Sequence, residues 1–349
     1  MIAILKREWK SYFQNITGWL FIAAVLALYG LYFLAYNLRA GYPYVSYTLS
    51  AISFIMLIAV PILTMRSMAE ERHSRTDQLV LTAPVSLGKM IFGKFLAMVG
   101  VFTVAVAVIA VTPLVLAAFG TVPMGENYVA VLGFWLYGCT CIAVGMLASA
   151  LTESQVIAAV VAFAFLFLGY MMNSITGLIG DHLITKVLGA YDLYTPLQSF
   201  MSGCLDLTGV VHFVSVTALC LFLTCQCVQK RRWSMTTKKL TTGMFSVAMI
   251  VVGFAVAVAV NLVVKEMPSS WTAVDATSTK LYSLTDTTKD YVKNLSQDVT
   301  IYVLSSEKSA DSTLAETLQR YEDLSKHLNV VYKDPAKSPN FYQQYTDSA

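Results

Sequence analysis

Charge is scarce in this chain: Asp, Glu, Lys and Arg make up 13% of its 349 residues and hydrophobic residues 56%, whereas soluble domains carry about 25% charged residues. With a mean hydropathy of +0.62, the sequence is that of a membrane protein. Seven apolar runs, near 18–37, 48–65, 95–119, 128–151, 155–179, 210–228 and 243–264, hold no Asp, Glu, Lys or Arg in their interiors. Each is long enough, at roughly 20 residues, to cross a hydrocarbon core of about 30 Å as a helix. Proton pumps and ion-coupled carriers keep ionisable groups at that depth, where such groups are costly and retained for function. Their absence argues against ion-coupled transport, so any movement this chain carries out must be powered from elsewhere.

Catalytic patterns are missing as well. No HExxH, GxSxG or CxxC occurs, and the four histidines, His73, His182, His212 and His327, are scattered over different regions. The stretch "GKMIFGKF", Gly88 to Phe95, has phosphate-loop spacing, but Phe95 stands where a Ser or Thr hydroxyl would hold Mg²⁺. It reads as a chance match, and no cofactor is assigned to this chain. Five of the six cysteines lie inside apolar runs, which gives no disulfide framework. The C-x-C pairs Cys139/Cys141 and Cys225/Cys227 would point their sulfurs about 200° apart on a helix, so they are read as packing residues and no metal is assigned.

What is present is sorted by side. In "MIAILKREWKSYFQNITGW", Ile2, Leu5, Trp9, Tyr12 and Ile16 recur at steps of three and four, with Lys6, Arg7, Lys10 and Gln14 elsewhere. That spacing predicts an amphipathic helix over 1–16, lying in the membrane interface and feeding the first span. The run behind it has full span length and no small-residue cleavage site, which marks an anchor rather than a cleaved signal. Thirteen Lys or Arg, from Lys6 through Arg66, Lys89 and Lys94 to Lys239, fall in the connections of one side, against Arg39 and Lys186 on the other. The positive-inside rule then places the N-terminus in the cytoplasm. The net charge of +3 reflects this topology, and no nucleic-acid partner is assigned.

Between the second and third runs lies "MRSMAEERHSRTDQLVLTAPVSLGK", with seven charged residues from Arg66 to Lys89. Glu71 precedes Arg75 by four residues, a helix-supporting spacing. Pro84 stops a second short helix, and Ser86 is placed to cap the next span. Leu79, Val80 and Leu81 require a covering surface, so the insert is read as a docking element for a cytoplasmic partner rather than a solvated loop.

A basic, Thr-rich junction over 230–242 separates six spans from the seventh. Residues 265–349 then carry nine Lys or Arg and twelve Asp or Glu. There Val299, Ile301 and Val303 alternate as a strand does, Leu314, Leu318, Tyr321, Leu324 and Leu328 follow at helical spacing, and Thr313 with Glu316 matches a capping box. "NVVYKDP" reads as a second strand, making a parallel strand-helix-strand unit. One such unit buries too little to stand by itself, so this portion is expected to be incomplete or completed by a partner chain.

The order "LKREWKSYF", two spans, "MAEERHSRTDQLVLTAPVSLGKMIFGKF" and four further spans resembles the ABC-2 type permeases, the membrane subunits of ABC transporters. Glu70 and Glu71 supply that family's acidic pair, Thr76 its Thr, Leu79 and Leu81 its apolar anchors, and Pro84-Val85-Ser86 its P-V-S; Arg75 stands for the usual Gly and Gln78 for the usual Glu. "TPLQSFMSGCLDLTGVVHF" is similar to the last part of gliding-motility type permeases, with Ser199, Phe200, Gly203 and Asp206 aligned. "DATSTKLYSLTDTTKDYVKNLSQDVTIYV" looks like the start of that system's auxiliary subunit.

The resemblance implies an all-α polytopic membrane protein, a six-span permease over 17–229 plus a seventh span at 243–264, with a partial α/β extracytoplasmic portion over 265–349. It implies a bacterial inner-membrane location and assembly of two permeases, identical or not, with two cytoplasmic ATPase subunits that hold ATP and Mg²⁺. Glu70, Glu71, Arg72, Arg75, Thr76 and Asp77 would face the ATPase, Leu79 and Leu81 would pack, Pro84 would turn the chain back, and Glu153 in the "LTESQ" turn would make a second contact. On the far side Pro196, Ser199, Phe200, Gly203 and Asp206 would belong to short gate helices within 180–208. Two other readings stay open: a mechanotransmitter acting on the tail or on an extracytoplasmic protein partner, and a membrane-anchored scaffold with no ATPase.

Overall fold

The amphipathic start forms α1 (Ile2–Gln14). After Asn15 the chain turns into α2 (Ile16–Phe33), which continues through a wider helical turn at Leu34–Arg39. α3 (Ser46–Thr64) runs back and passes at Met65 into the short α4 (Arg66–His73). Then come α5 (Leu87–Ile109), α6 (Thr112–Ala117), α7 (Met124–Leu151) and α8 (Gln155–Ile179). α9 (Tyr194–Met201) and strand β1 (Cys204–Asp206) lead into α10 (Leu207–Arg231), and α11 (Lys239–Lys265) is the last long helix. This computed structural model describes residues 2–74, 86–179, 188–231, 239–265, 267, 273–276, 286–295, 297–305, 312–335 and 340–341.

Among the described residues seven helices are long and apolar enough to cross a membrane: Ile16–Arg39, Ser46–His73, Leu87–Ala117, Met124–Leu151, Gln155–Leu178, Leu207–Gln229 and Val247–Val264. They coincide with the seven apolar runs. α7 is the hub, buried over 83% of its most apolar stretch, and it packs against α10, α8, α3, α9 and α5. Small residues make this possible, because they let neighbouring elements approach closely enough for the van der Waals packing that holds helices together in lipid. A Cβ on Gly133, Gly138 or Gly145 would stand 2.3 Å from Phe200, 2.2 Å from Phe102 and 2.2 Å from Thr64 respectively. α11 is the opposite case: no residue of Val247–Val264 is buried, and the helix leans on α10, where Asn261 Nδ2 donates to Ser215 Oγ at 2.7 Å.

The α2–α3 connection is closed by a buried polar network. Asn37 Nδ2 donates to the carbonyls of Tyr42 (2.8 Å) and Tyr44 (3.1 Å), and Thr48 Oγ1 donates to Asn37 Oδ1 at 2.8 Å. Asn127, at the start of α7, accepts from Val45 N (2.7 Å) and donates to the Pro43 carbonyl (3.1 Å). Irregular backbone at the membrane boundary is thereby satisfied inside the protein.

Beyond α11 come β2 (Ala273–Asp275), α12 (Asp286–Lys293), β3 (Val299–Val303), α13 (Ser312–Leu324) and β4 (Leu328–Tyr332). β3 and β4 pair in parallel, Val299 opposite Leu328 through Val303 opposite Tyr332, with α13 between them in sequence. The chain is an all-α polytopic membrane protein with a partial α/β C-terminal portion. One position differs from the helical row: Leu328 opens β4, because Val299 N donates to the His327 carbonyl at 2.7 Å and draws the chain into the ladder. β2 stays apart from that ladder and pairs antiparallel with β1.

Candidate functional site

In the first turn of α4, which opens at Arg66, Met68 and Ala69 carry backbone N–H groups of the kind that a helix start leaves without partners in its own helix. α7 supplies them: Ser149 Oγ accepts from Met68 N and Ala69 N, both at 3.1 Å, and donates to the Met65 carbonyl at 3.0 Å. Arg72, one helical turn on, donates through Nη1 to the Ala150 carbonyl in the last turn of α7 (2.9 Å) and to that of Thr152 just beyond its end (2.7 Å). Its Nη2 lies 3.6 Å from Glu153. α4 is thus pinned to the end of α7 at two points, and a cation there also complements the helix dipole.

The acidic pair is divided between two neighbours. Glu70 forms a two-point ion pair with Arg66, Oε2 to Nε at 2.7 Å and Oε1 to Nη2 at 2.9 Å, while Arg66 Nη1 donates to Thr17 Oγ1 on α2 at 2.9 Å. Glu71 accepts from Lys94 Nζ at 2.6 Å and lies 3.6 Å from Arg7. Lys94 also donates to the Ser67 carbonyl at 2.9 Å and stands 3.9 Å from Glu8. Arg7 and Glu8 are themselves 2.7 Å apart; this hydrogen bond holds the Arg7 guanidinium above its ordinary pKa, keeping it a fixed cation. Burial pushes the neighbouring Tyr12 phenol up as well, so it stays neutral.

Lys94 is the residue that sequence reading misplaced. Counted among the charges of a connection, it lies a full two turns inside α5, which begins at Leu87, and its side chain is 3% exposed. The second lysine of the phosphate-loop near-match is therefore a buried counter-ion for Glu71. Glu8 was not singled out either, although it falls on the turn of α1 that faces α5. Ser86 occupies the N-cap position of α5 without a side-chain capping bond.

Together these groups line a cleft of about 580 Å³ bounded by α1, α2, α4 and α5, with Arg7, Glu8, Arg66, Glu70, Glu71 and Lys94 in its wall. Glu70, Glu71, Arg72 and Glu153 meet at one end of the bundle, the end that carries α1. Arg75, Thr76, Asp77, Leu79, Leu81 and Pro84 lie outside the described residues.

At the opposite end, Asp192 caps α9 by accepting from Tyr194 N (2.9 Å) and Thr195 N (3.2 Å). Pro196 sits in the first turn of α9 and Ser199 in its last, where the Ser199 carbonyl accepts from Ser202 Oγ at 2.9 Å. Phe200 is fully buried, wedged between Gly133 on α7 and Gly209 on α10 and 6.2 Å from the Phe213 ring. Gly203 turns the chain with φ +83°, a left-handed conformation that glycine adopts without penalty. Asp206 accepts from Thr208 N at 2.8 Å and so starts α10. The expected run of short helices holds for 194–201, whereas 204–206 is a strand, since its backbone groups are taken by β2; 180–187 lies outside the described residues.

No curated protein and no solved structure matches this chain. Two family models do. A domain of unknown function, DUF7088, matches residues 278–348, and the ABC-2 family transporter protein model matches residues 36–228, a segment that spans α3 to α10 with the pinned α4 and the Phe200 wedge inside it. This chain therefore belongs to the ABC-2 transporter family, as a membrane-spanning permease component.

Proposed function

We propose that this chain couples ATP hydrolysis by separate cytoplasmic ATPase subunits, which hold the nucleotide and Mg²⁺, to export or translocation of a substrate, working with a second permease copy in a bacterial inner membrane. The observation that carries the reading is the anchoring of α4. One short helix is bonded to α1, α2, α5 and α7 at once, so a push on it reaches four helices without loss in a flexible joint. Glu70 keeps 44% of its side chain exposed while paired with Arg66, which leaves it available to a docking partner. The end bearing α1 and α4 is read as cytoplasmic from its surplus of Lys and Arg.

The test exchanges charge without breaking the pair. R66E/E70K retains a salt bridge within α4 but inverts the order of its charges. The double variant should fold and reach the membrane, while ATPase stimulation by the assembled permease falls at least ten-fold. Unchanged stimulation would refute the docking role.

A second reading, a mechanotransmitter whose movement acts on the tail, is favoured by one observation. The tail is tied to the far end of the bundle through the β1–β2 pair. The tail, with its α/β portion, is read as the front part of an auxiliary extracytoplasmic module that a protein partner would engage.

A further inference from the structure

The turn after α9 is short, and its backbone is spoken for by a segment almost seventy residues later. Cys204 faces Asp275, Leu205 faces Val274 and Asp206 faces Ala273 in an antiparallel register, and Ala276 N extends the ladder by donating to the Gly203 carbonyl at 3.2 Å. On the bundle side this strand is held firmly. Cys204 is buried, Leu205 packs on the core, and Asp206 starts α10. On the tail side the segment meets a third element, because a Cβ on Gly125 at the start of α7 would stand 2.6 Å from the Ala276 carbonyl oxygen. A two-stranded ladder of this length has little stability of its own, so its persistence depends on that seat. α11 delivers the segment there by packing along α10, where Gly253 admits Phe222.

We propose that β1 is a strand-docking seat whose occupant is residues 273–276 of this same chain, added to the permease as an extra strand. The gate turn, the starts of α7 and α10, and the first residues of the tail then move as one piece, so that motion of the bundle is delivered to the extracytoplasmic module through hydrogen bonds rather than through a slack linker. The part of this that concerns motion rests on the ATP-driven reading above; the seat itself does not.

The register supplies the probe. Since the Gly203–Ala276 pair shares a ladder hydrogen bond, Cys204 and Asp275 form the adjacent non-bonded pair, with Cα atoms about 4.5 Å apart, inside the range that a disulfide spans. In the full-length chain assembled with its ATPase, Asp275→Cys should cross-link to native Cys204 on mild oxidation, and Cys204→Ser should abolish the product. Adding Val274→Pro, which removes a ladder N–H, should lower the yield at least five-fold. The yield should be the same without nucleotide and after arrest with ATP and vanadate. A cross-link found in one state only would overturn the common movement. Absence of the product while both thiols remain labelled by maleimide would overturn the seat, and a product joining two chains would assign it to a second copy instead. If the assembly hydrolyses no ATP, the proposed function fails while the nucleotide-free cross-link still decides the seat.

Discussion

At the scale of single residues, Lys94 shows how burial turns a charge into a structural requirement. Taking one partner from a buried ion pair costs about 3–5 kcal/mol, because the remaining charge is left uncompensated, whereas replacing both by apolar groups is often neutral. Glu71→Gln alone should therefore lower the melting temperature of the purified protein strongly. Glu71→Met and Lys94→Met should each be destabilising singly and their combination should recover most of the loss, giving a coupling energy of roughly 0.5–3 kcal/mol in the double-mutant cycle. Additive effects would show that Lys94 is satisfied without Glu71. The acidic pair was visible as sequence, but its division was not: Glu70 pairs within its own helix and Glu71 across to α5. Two adjacent carboxylates point about 100° apart on a helix, and only the neighbours decide what each one meets.

At the scale of elements, α1 is docked as well as amphipathic. Trp9 lies over Gly100 on α5, where a Cβ would stand 1.7 Å from Trp9 Cζ3. Gly100→Leu should displace α1, cost roughly 1–3 kcal/mol as overpacking does, and open the segment around Gln14 to protease. Adding Trp9→Ala should restore protection in part, and Gly88→Ala, where nothing lies within 4 Å, should change neither property. The 3-4 spacing of Ile2, Leu5, Trp9 and Tyr12 was enough to expect this helix. Its orientation over α5 was not legible, because Ile2 and Ile16 remain exposed and the stripe serves lipid and protein alike.

At the scale of the whole molecule, orientation is open to a direct check. In intact cells and a background without other reactive cysteines, a membrane-impermeant maleimide should label Thr121→Cys, beside the α6–α7 turn, and leave Glu153→Cys unlabelled until the membrane is permeabilised. The opposite pattern would invert the topology and move α4 away from any cytoplasmic ATPase. The sequence by itself determined the seven spans, the amphipathic start and the parallel strand-helix-strand order, since length, hydropathy and periodicity are local properties that the membrane and the backbone enforce. Tertiary structure alone decided the pinning of α4 by Ser149 and Arg72, the burial of Lys94 against Glu71, and the seating of residues 273–276 on β1. Each joins groups between about twenty and eighty residues apart; a periodic pattern specifies which face of an element is apolar, but the partner of that face is fixed only when the helices pack.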